Sequence, residues 1–134
     1  AYNNRAFAYD MMGNVDKAIA DYNEAIRLAP DTAEAYNNRG LAYDGKGDFD
    51  KAIADSTEAI RLKPDFADAY NNRGNAYQRK GDVDKAIADY NEAIRLDPDF
   101  AEAYNNRGAA YEKKGDKANA EKDFARAERL WDRQ

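Results

Sequence analysis

Residues 33–66 carry a hydrophobic pattern that changes phase at two turns. Tyr36, Gly40 and Tyr43 fall at i, i+4 and i+7, which puts them on one face of a helix. Ala52, Ser56 and Ala59 repeat that spacing further on, and Ile53 and Ile60 lie on a neighbouring stripe. Polar and charged residues occupy most of the positions between them. The pattern predicts a first helix running to about Lys46 and a second running to about Leu62. Gly47 stands where a left-handed residue would close the first helix, and Pro64 stops the second. Asp50 is the expected N-cap of the second helix. Asp65 and Asp99 are the expected N-caps of the first helices of the units that follow, with Asp68 and Glu102 in capping-box positions.

The same pattern occurs four times. Ala-Tyr-Asn-Asn-Arg begins at Ala1, Ala35, Ala69 and Ala103, a period of 34 residues. Asp-Lys-Ala-Ile-Ala-Asp recurs in register at Asp16, Asp50 and Asp84. A fixed period of this size predicts stacked helical hairpins rather than one core around one pocket. The units divide at 1–32, 33–66, 67–100 and 101–134, within a single domain. Small residues such as Gly40 and Ala52 let the helices of a hairpin approach. The tyrosines, with the large residue of the Tyr22 and Tyr90 position, fill the space around them. Ser56 stands at that position in the second unit, which is therefore expected to be underpacked. In the fourth unit Glu121 and Glu128 replace isoleucines that would face a further repeat, so its second helix is expected to be a polar cap.

Tyr70, Gly74, Tyr77, Ala86, Tyr90, Ala93 and Pro98, together with the period, resemble the signature of the tetratricopeptide repeat over the whole chain. The resemblance implies an all-α fold: helix-turn-helix repeats stacked into a right-handed superhelix, an α-solenoid. Its first helices would line a concave groove and its second helices the outer face. It also implies a non-enzymatic protein-interaction module that binds an extended peptide segment in that groove.

Composition narrows the chemistry. The chain has 134 residues, with 21 basic and 26 acidic side chains and a net charge of −5. An acidic balance argues against a phosphate-binding surface, so no nucleic acid is expected. Cysteine and histidine are absent. No disulfide, thiolate metal site or histidine-based triad is available, and neither a catalytic residue, a metal nor a cofactor is expected. Asp16, Asp50 and Asp84 are accounted for by capping. Asp21, Glu24 and Arg27 read as a solvated, salt-bridged face. Arg5, Arg39, Arg73 and Arg107 read as stems lying along a helix interface with exposed heads. No apolar run approaches a membrane span, so the chain is expected to be soluble, with the cytoplasm the simplest compartment.

The paired asparagines are the leading binding candidates. Asparagine is a mediocre helix former, yet Asn3-Asn4, Asn37-Asn38, Asn71-Asn72 and Asn105-Asn106 recur in every first helix. Each amide offers donors and an acceptor, and so can pair with a peptide backbone. The opposing reading is that they bond to neighbouring helices. Phe7, Leu41 and Asn75 complete the groove set by the family's geometry. Of the residues by which some members of the family clamp an acidic chaperone tail, only Asn38 and Asn75 match, and no lysine or arginine does. Glu34, Asp68 and Glu102 add negative charge. The expected partner is thus an extended protein or peptide segment, neutral to basic, and not an acidic chaperone tail. The alternative is a structural scaffold or self-associating fragment, truncated or engineered, without a dedicated ligand. Phe7, Met11 and Met12 would then form the contact at its uncapped N-terminal face.

Overall fold

The computed structural model describes residues 1–133, and among them every regular element is a helix. In chain order these are α1 (Tyr2–Met11), α2 (Val15–Leu28), α3 (Ala33–Lys46), α4 (Phe49–Leu62), α5 (Ala67–Lys80), α6 (Val83–Leu96), α7 (Ala101–Lys114) and α8 (Lys117–Asp132). They pair as four hairpins. The hairpins group into two compact units, Ala1–Asp65 with α1 to α4 and Phe66–Gln134 with α5 to α8.

The turns explain the boundaries. Gly47 has φ +89°, and its N–H donates to Asp44 O, while Asp48 N–H donates to Tyr43 O. These bonds satisfy carbonyls that the last helical turn leaves open, and a residue with a Cβ would be strained there. Lys63 adopts an extended conformation ahead of Pro64, which removes the next helical N–H.

The capping expectations need correction. Phe66 and Phe100, not Asp65 and Asp99, are the N-cap residues of α5 and α7, and neither helix has a side-chain cap. Asp48, not Asp50, caps α4: its Oδ1 accepts from Lys51 N–H at 3.4 Å. Asp50 lies two places further in, within the first turn, as do Asp16 and Asp84 in α2 and α6. Negative charge there still favours the positive end of the helix dipole. Asp16 and Asp84 also accept from Lys46 Nζ and Lys114 Nζ, each at 2.8 Å, which ties the start of a second helix to the end of the next first helix.

Each unit has its own core of small residues around an aromatic ring. In the first unit Ala6, Ala18, Tyr22 and Ala42 are buried together, with Tyr9, Val15 and Ile19 packed against them. In the second unit Ala86, Ile87, Tyr90 and Ala110 play this part, joined by Tyr77, Val83 and Tyr111. The glycine of the repeat is needed for the ring. A Cβ on Gly74 would lie 2.7 Å from Tyr90 Cε1, and one on Gly108 would lie 2.8 Å from Phe124 Cε1. At Gly40 the nearest atoms are Ala52 O, Asp55 Cβ and Ser56 Oγ, none closer than 3.3 Å. Ser56 itself is buried.

Candidate functional site

The first helices carry the asparagine pairs, and the fold treats the two members differently. The leading asparagine is buried in the two middle pairs. Asn37 is buried and Asn71 is only 2% exposed, while Asn3 and Asn105 are half-buried. Asn37 and Asn71 are therefore largely withdrawn from solvent. Asn71 Oδ1 accepts from Asn106 Nδ2 at 3.1 Å, joining α5 to α7. At this pair the amides bond to a neighbouring helix. Of the following asparagines, Asn4 is exposed and Asn38, Asn72 and Asn106 are half-buried.

Phe7 and Leu41 hold equivalent positions on α1 and α3 and are 53% and 40% exposed. Both are large apolar side chains among polar neighbours, so the first unit offers an apolar strip beside Asn4 and Asn38. Met11 and Met12 are also exposed at the end of α1. Asn75, the equivalent residue on α5, serves the protein itself. Tyr90 Oη donates to Asn75 Oδ1 at 2.6 Å, and Gln78 Oε1 lies 2.9 Å from the same oxygen. A hydroxyl has one proton, so the phenol donates to one of these two amide oxygens at a time.

A second feature escaped the spacing argument. Arg5, Arg39, Arg73 and Arg107 each grip an aspartate sixteen residues on, at Asp21, Asp55, Asp89 and Asp123. The contacts are two-pronged, with N···O distances of 2.7–2.9 Å, and each ties the two helices of one hairpin together. Such fork-on-carboxylate pairs are stronger and more directional than single contacts. All four heads are thus engaged, that of Arg5 while still exposed to solvent, and Asp21 is buried rather than part of a solvated face. Glu24 and Arg27 do form the exposed pair expected of them. The guanidinium of Arg5 holds the Asp21 carboxyl below the usual carboxylate range, against an opposing effect of burial. Asp55 raises the Arg39 guanidinium, and Asp89 and Asp123 do the same for Arg73 and Arg107. The rings of Tyr36, Tyr70 and Tyr104 lie 5.5–5.6 Å from these cations. Arg39 and Arg107 also donate to Asn23 and Asn91, on the second helix of the preceding hairpin. The signal was present in the sequence as an arginine and an aspartate recurring in register four times.

Burial also sets the first unit's polar groups. It raises the Asp10 carboxyl. It pushes the Tyr22 phenol up to about 12, with the Asp10 charge adding to the shift. Tyr22 Oη is buried and has no hydrogen-bond partner. Among the described residues no group of three or more histidine, cysteine or acidic side chains is placed to hold a metal, and no helix is long and apolar enough to cross a membrane.

Four hairpins of this length, with left-handed glycines between their helices and a buried tyrosine inside the first and third, define a helix-turn-helix repeat protein. The TPR repeat profile matches residues 8–46, 45–81 and 79–115, and the tetratricopeptide repeat profile matches residues 101–130. The chain belongs to the tetratricopeptide repeat family. No curated protein matches it by sequence. Among solved structures, a crystal structure of MamA is 32% identical, with a TM-score of 0.88 over 98% of this chain and 77% of MamA. The first TPR of Spaghetti (RPAP3), bound to the HSP90 peptide SRMEEVD, is 25% identical, with a TM-score of 0.82 over 85% of this chain and 90% of that one. The second TPR domain of human RPAP3, in complex with the HSP70 peptide SGPTIEEVD, is 25% identical, with a TM-score of 0.78 over 81% and 91%.

Proposed function

We propose that this chain is a protein-interaction module that holds an extended peptide against the exposed face of its first helices. The observation that carries this reading is the strip of Phe7 and Leu41 beside Asn4 and Asn38. Large apolar groups held open next to amides suit a peptide whose side chains seek the first and whose backbone seeks the second. The peptide complexes of RPAP3 support a role of this kind for the fold. In the second unit, Asn72, Asn105 and Asn106 remain candidates, though Asn106 already donates to Asn71 and Asn75 already holds Tyr90.

The preferred peptide is neutral to basic. Asp10 and Asp44 lie one turn beyond the strip residues on α1 and α3, and Glu34 opens α3. The peptides in the RPAP3 complexes end in Glu-Glu-Val-Asp, whereas the face proposed here lacks the basic residues that an acidic tail would need. Self-association is the second reading, favoured by the exposure of Phe7, Met11 and Met12 together.

An unbiased peptide library tests the first reading. Selected peptides are expected to carry apolar residues with basic neighbours, and to bind at least about tenfold more weakly to Phe7→Glu and to Asn38→Ala. Peptides that survive both substitutions would place the contact elsewhere. Sedimentation equilibrium separates the second reading: a concentration-dependent mass abolished by Phe7→Glu with Met11→Glu means that this end joins copies of the chain.

A further inference from the structure

Asp10 is a carboxylate that the first hairpin withdraws from water without pairing it. It is half-buried near the end of α1, and burial raises its carboxyl with no cation acting the other way. Among the described residues no arginine or lysine reaches it and no side chain donates to it. Asp21, Asp55, Asp89 and Asp123, which are buried, each carry an arginine fork. At the place on α5 equivalent to Asp10 stands Gln78, which lies within reach of the Tyr90 hydroxyl. The Tyr22 hydroxyl has no partner, so Asp10 takes no proton from it. A carboxylate held partly out of water without a counter-charge is costly, and a ligand cation recovers that cost.

Phe7 and Met11 flank this carboxylate on the same side of α1, at i−3 and i+1. Phe7 and Asp10 are therefore neighbours on the helix surface, as are Phe7 and Met11. These positions stay open further along the chain: Leu41, equivalent to Phe7, is exposed, and so is Gly45, equivalent to Met11. The openness of this face thus belongs to the geometry of the repeat. The chain also shows what an aromatic ring and a carboxylate hold between them. Arg39 lies over the Tyr36 ring and forks Asp55; Arg73 does so with Tyr70 and Asp89, and Arg107 with Tyr104 and Asp123. Each time the ring faces the flat cation and the carboxylate takes its edge.

We propose that Phe7 and Asp10 form a subsite for an arginine side chain of the bound peptide, its guanidinium forked on the Asp10 carboxylate and its stem laid on the Phe7 ring and Met11. The inference rests on the peptide-face reading and names the residue which that face selects. Arginine is preferred to lysine because its planar fork matches a carboxylate in two bonds and stacks on a ring, whereas an ammonium is a strongly hydrated point charge.

The test is an amide NMR titration with acetyl-Leu-Gly-Arg-Gly-Leu-amide and with the matched peptides in which citrulline or lysine replaces the arginine. Citrulline keeps the shape and hydrogen-bonding plane of arginine without its charge. The arginine peptide is expected to shift Phe7, Asp10 and Leu41 saturably, and to bind roughly three- to tenfold more tightly than the citrulline peptide and about twofold or more over the lysine peptide. Asp10→Asn should bring arginine and citrulline to equal affinity. It should leave stability to denaturant unchanged or raised, since it removes an unpaired charge. Phe7→Leu should keep the preference for arginine over citrulline and lose that for arginine over lysine. Glu112→Gln, the equivalent change on α7, should alter none of these ratios. Shifts at Asn38 and Leu41 without a preference for arginine over citrulline overturn this inference and leave the peptide face standing. Absence of saturable shifts with every peptide overturns both. A preference that survives Asp10→Asn, or a marked loss of stability in that variant, assigns Asp10 to another role and overturns the subsite.

Discussion

Helices α2 and α6 have the same sequence, Val-Asp-Lys-Ala-Ile-Ala-Asp-Tyr-Asn-Glu-Ala-Ile-Arg-Leu, yet their tyrosines meet different surroundings. Tyr22 and Tyr90 are both fully buried. Tyr90 lies flat against Gly74 and gives its proton to Asn75. Tyr22 faces a helix with Ala6, Phe7 and Asp10 at the corresponding places, and its hydroxyl has no partner. Phenylalanine offers no acceptor. The Ala6 methyl also occupies the space that the ring uses in the other hairpin, since a Cβ on Gly74 would stand well inside contact distance of Tyr90. The environment of a repeated helix is thus decided by the helix it packs against. In the third hairpin, position 75 is committed to internal structure; in the first, position 7 is released to the surface as an exposed phenylalanine. The side chain that leaves Tyr22 without a partner is also the one that creates the apolar strip.

The ion pairs repeat the contrast. Arg5 and Arg73 grip their aspartates with the same geometry, but the Arg5 side chain is 58% exposed and that of Arg73 is 20% exposed. The same contact is worth more where water is excluded.

The sharpest way to break the comparison is to give the third hairpin the residues of the first. Gly74→Ala with Asn75→Phe combines overpacking against the Tyr90 ring with loss of its acceptor. Chemical denaturation should show a loss of about 2–4 kcal/mol. The converse pair, Ala6→Gly with Phe7→Asn, should restore a partner for Tyr22 and weaken peptide binding at the same time. No loss of stability in the first variant would mean that Tyr90 does not depend on its glycine.

The ion pairs should give the next effect. Arg73→Ala leaves Asp89 buried without its partner, and denaturation should show a loss of about 2–3 kcal/mol. Arg5→Ala should cost clearly less, because solvent reaches the Asp21 carboxyl once the exposed guanidinium is removed. Since Arg5 lowers the Asp21 carboxyl, the stability from that pair is full above the ordinary aspartate range near ~4 and fades as the pH falls below it. Arg5→Ala should flatten that part of the acid profile.

The smallest effects concern the hydroxyls alone. Tyr90→Phe orphans Asn75 and should cost about 1 kcal/mol, whereas Tyr22→Phe removes a group that has no partner and should be neutral or slightly stabilising. The Tyr22 phenol is raised to about 12, so the folded state loses stability as the pH rises from ~10 towards that value. Ultraviolet titration should show a late-ionising tyrosine that disappears in Tyr22→Phe. A Tyr22 phenol that titrates with the exposed tyrosines would remove the asymmetry between the two hairpins.

The sequence by itself determined the period, the eight helices and their ends at Lys46, Leu62 and the left-handed glycines. These depend on interactions within a few residues, and four copies in register repeat the signal. It read the glycine of the repeat as a place of close helix approach, and the structure adds that the ring of Tyr90 is what lies against Gly74. It misplaced the caps, because aspartate at positions 50, 65 and 99 is close to a helix start without reaching an open N–H. Tertiary structure alone decided that Asn37 and Asn71 are buried, which tyrosine is satisfied and which arginine is screened from water. Those outcomes depend on side chains that converge from different helices. Asn75 and Tyr90 are fifteen residues apart, and Asn71 and Asn106 are thirty-five apart. Identical sequence in α2 and α6 cannot encode different partners; the packed neighbour does.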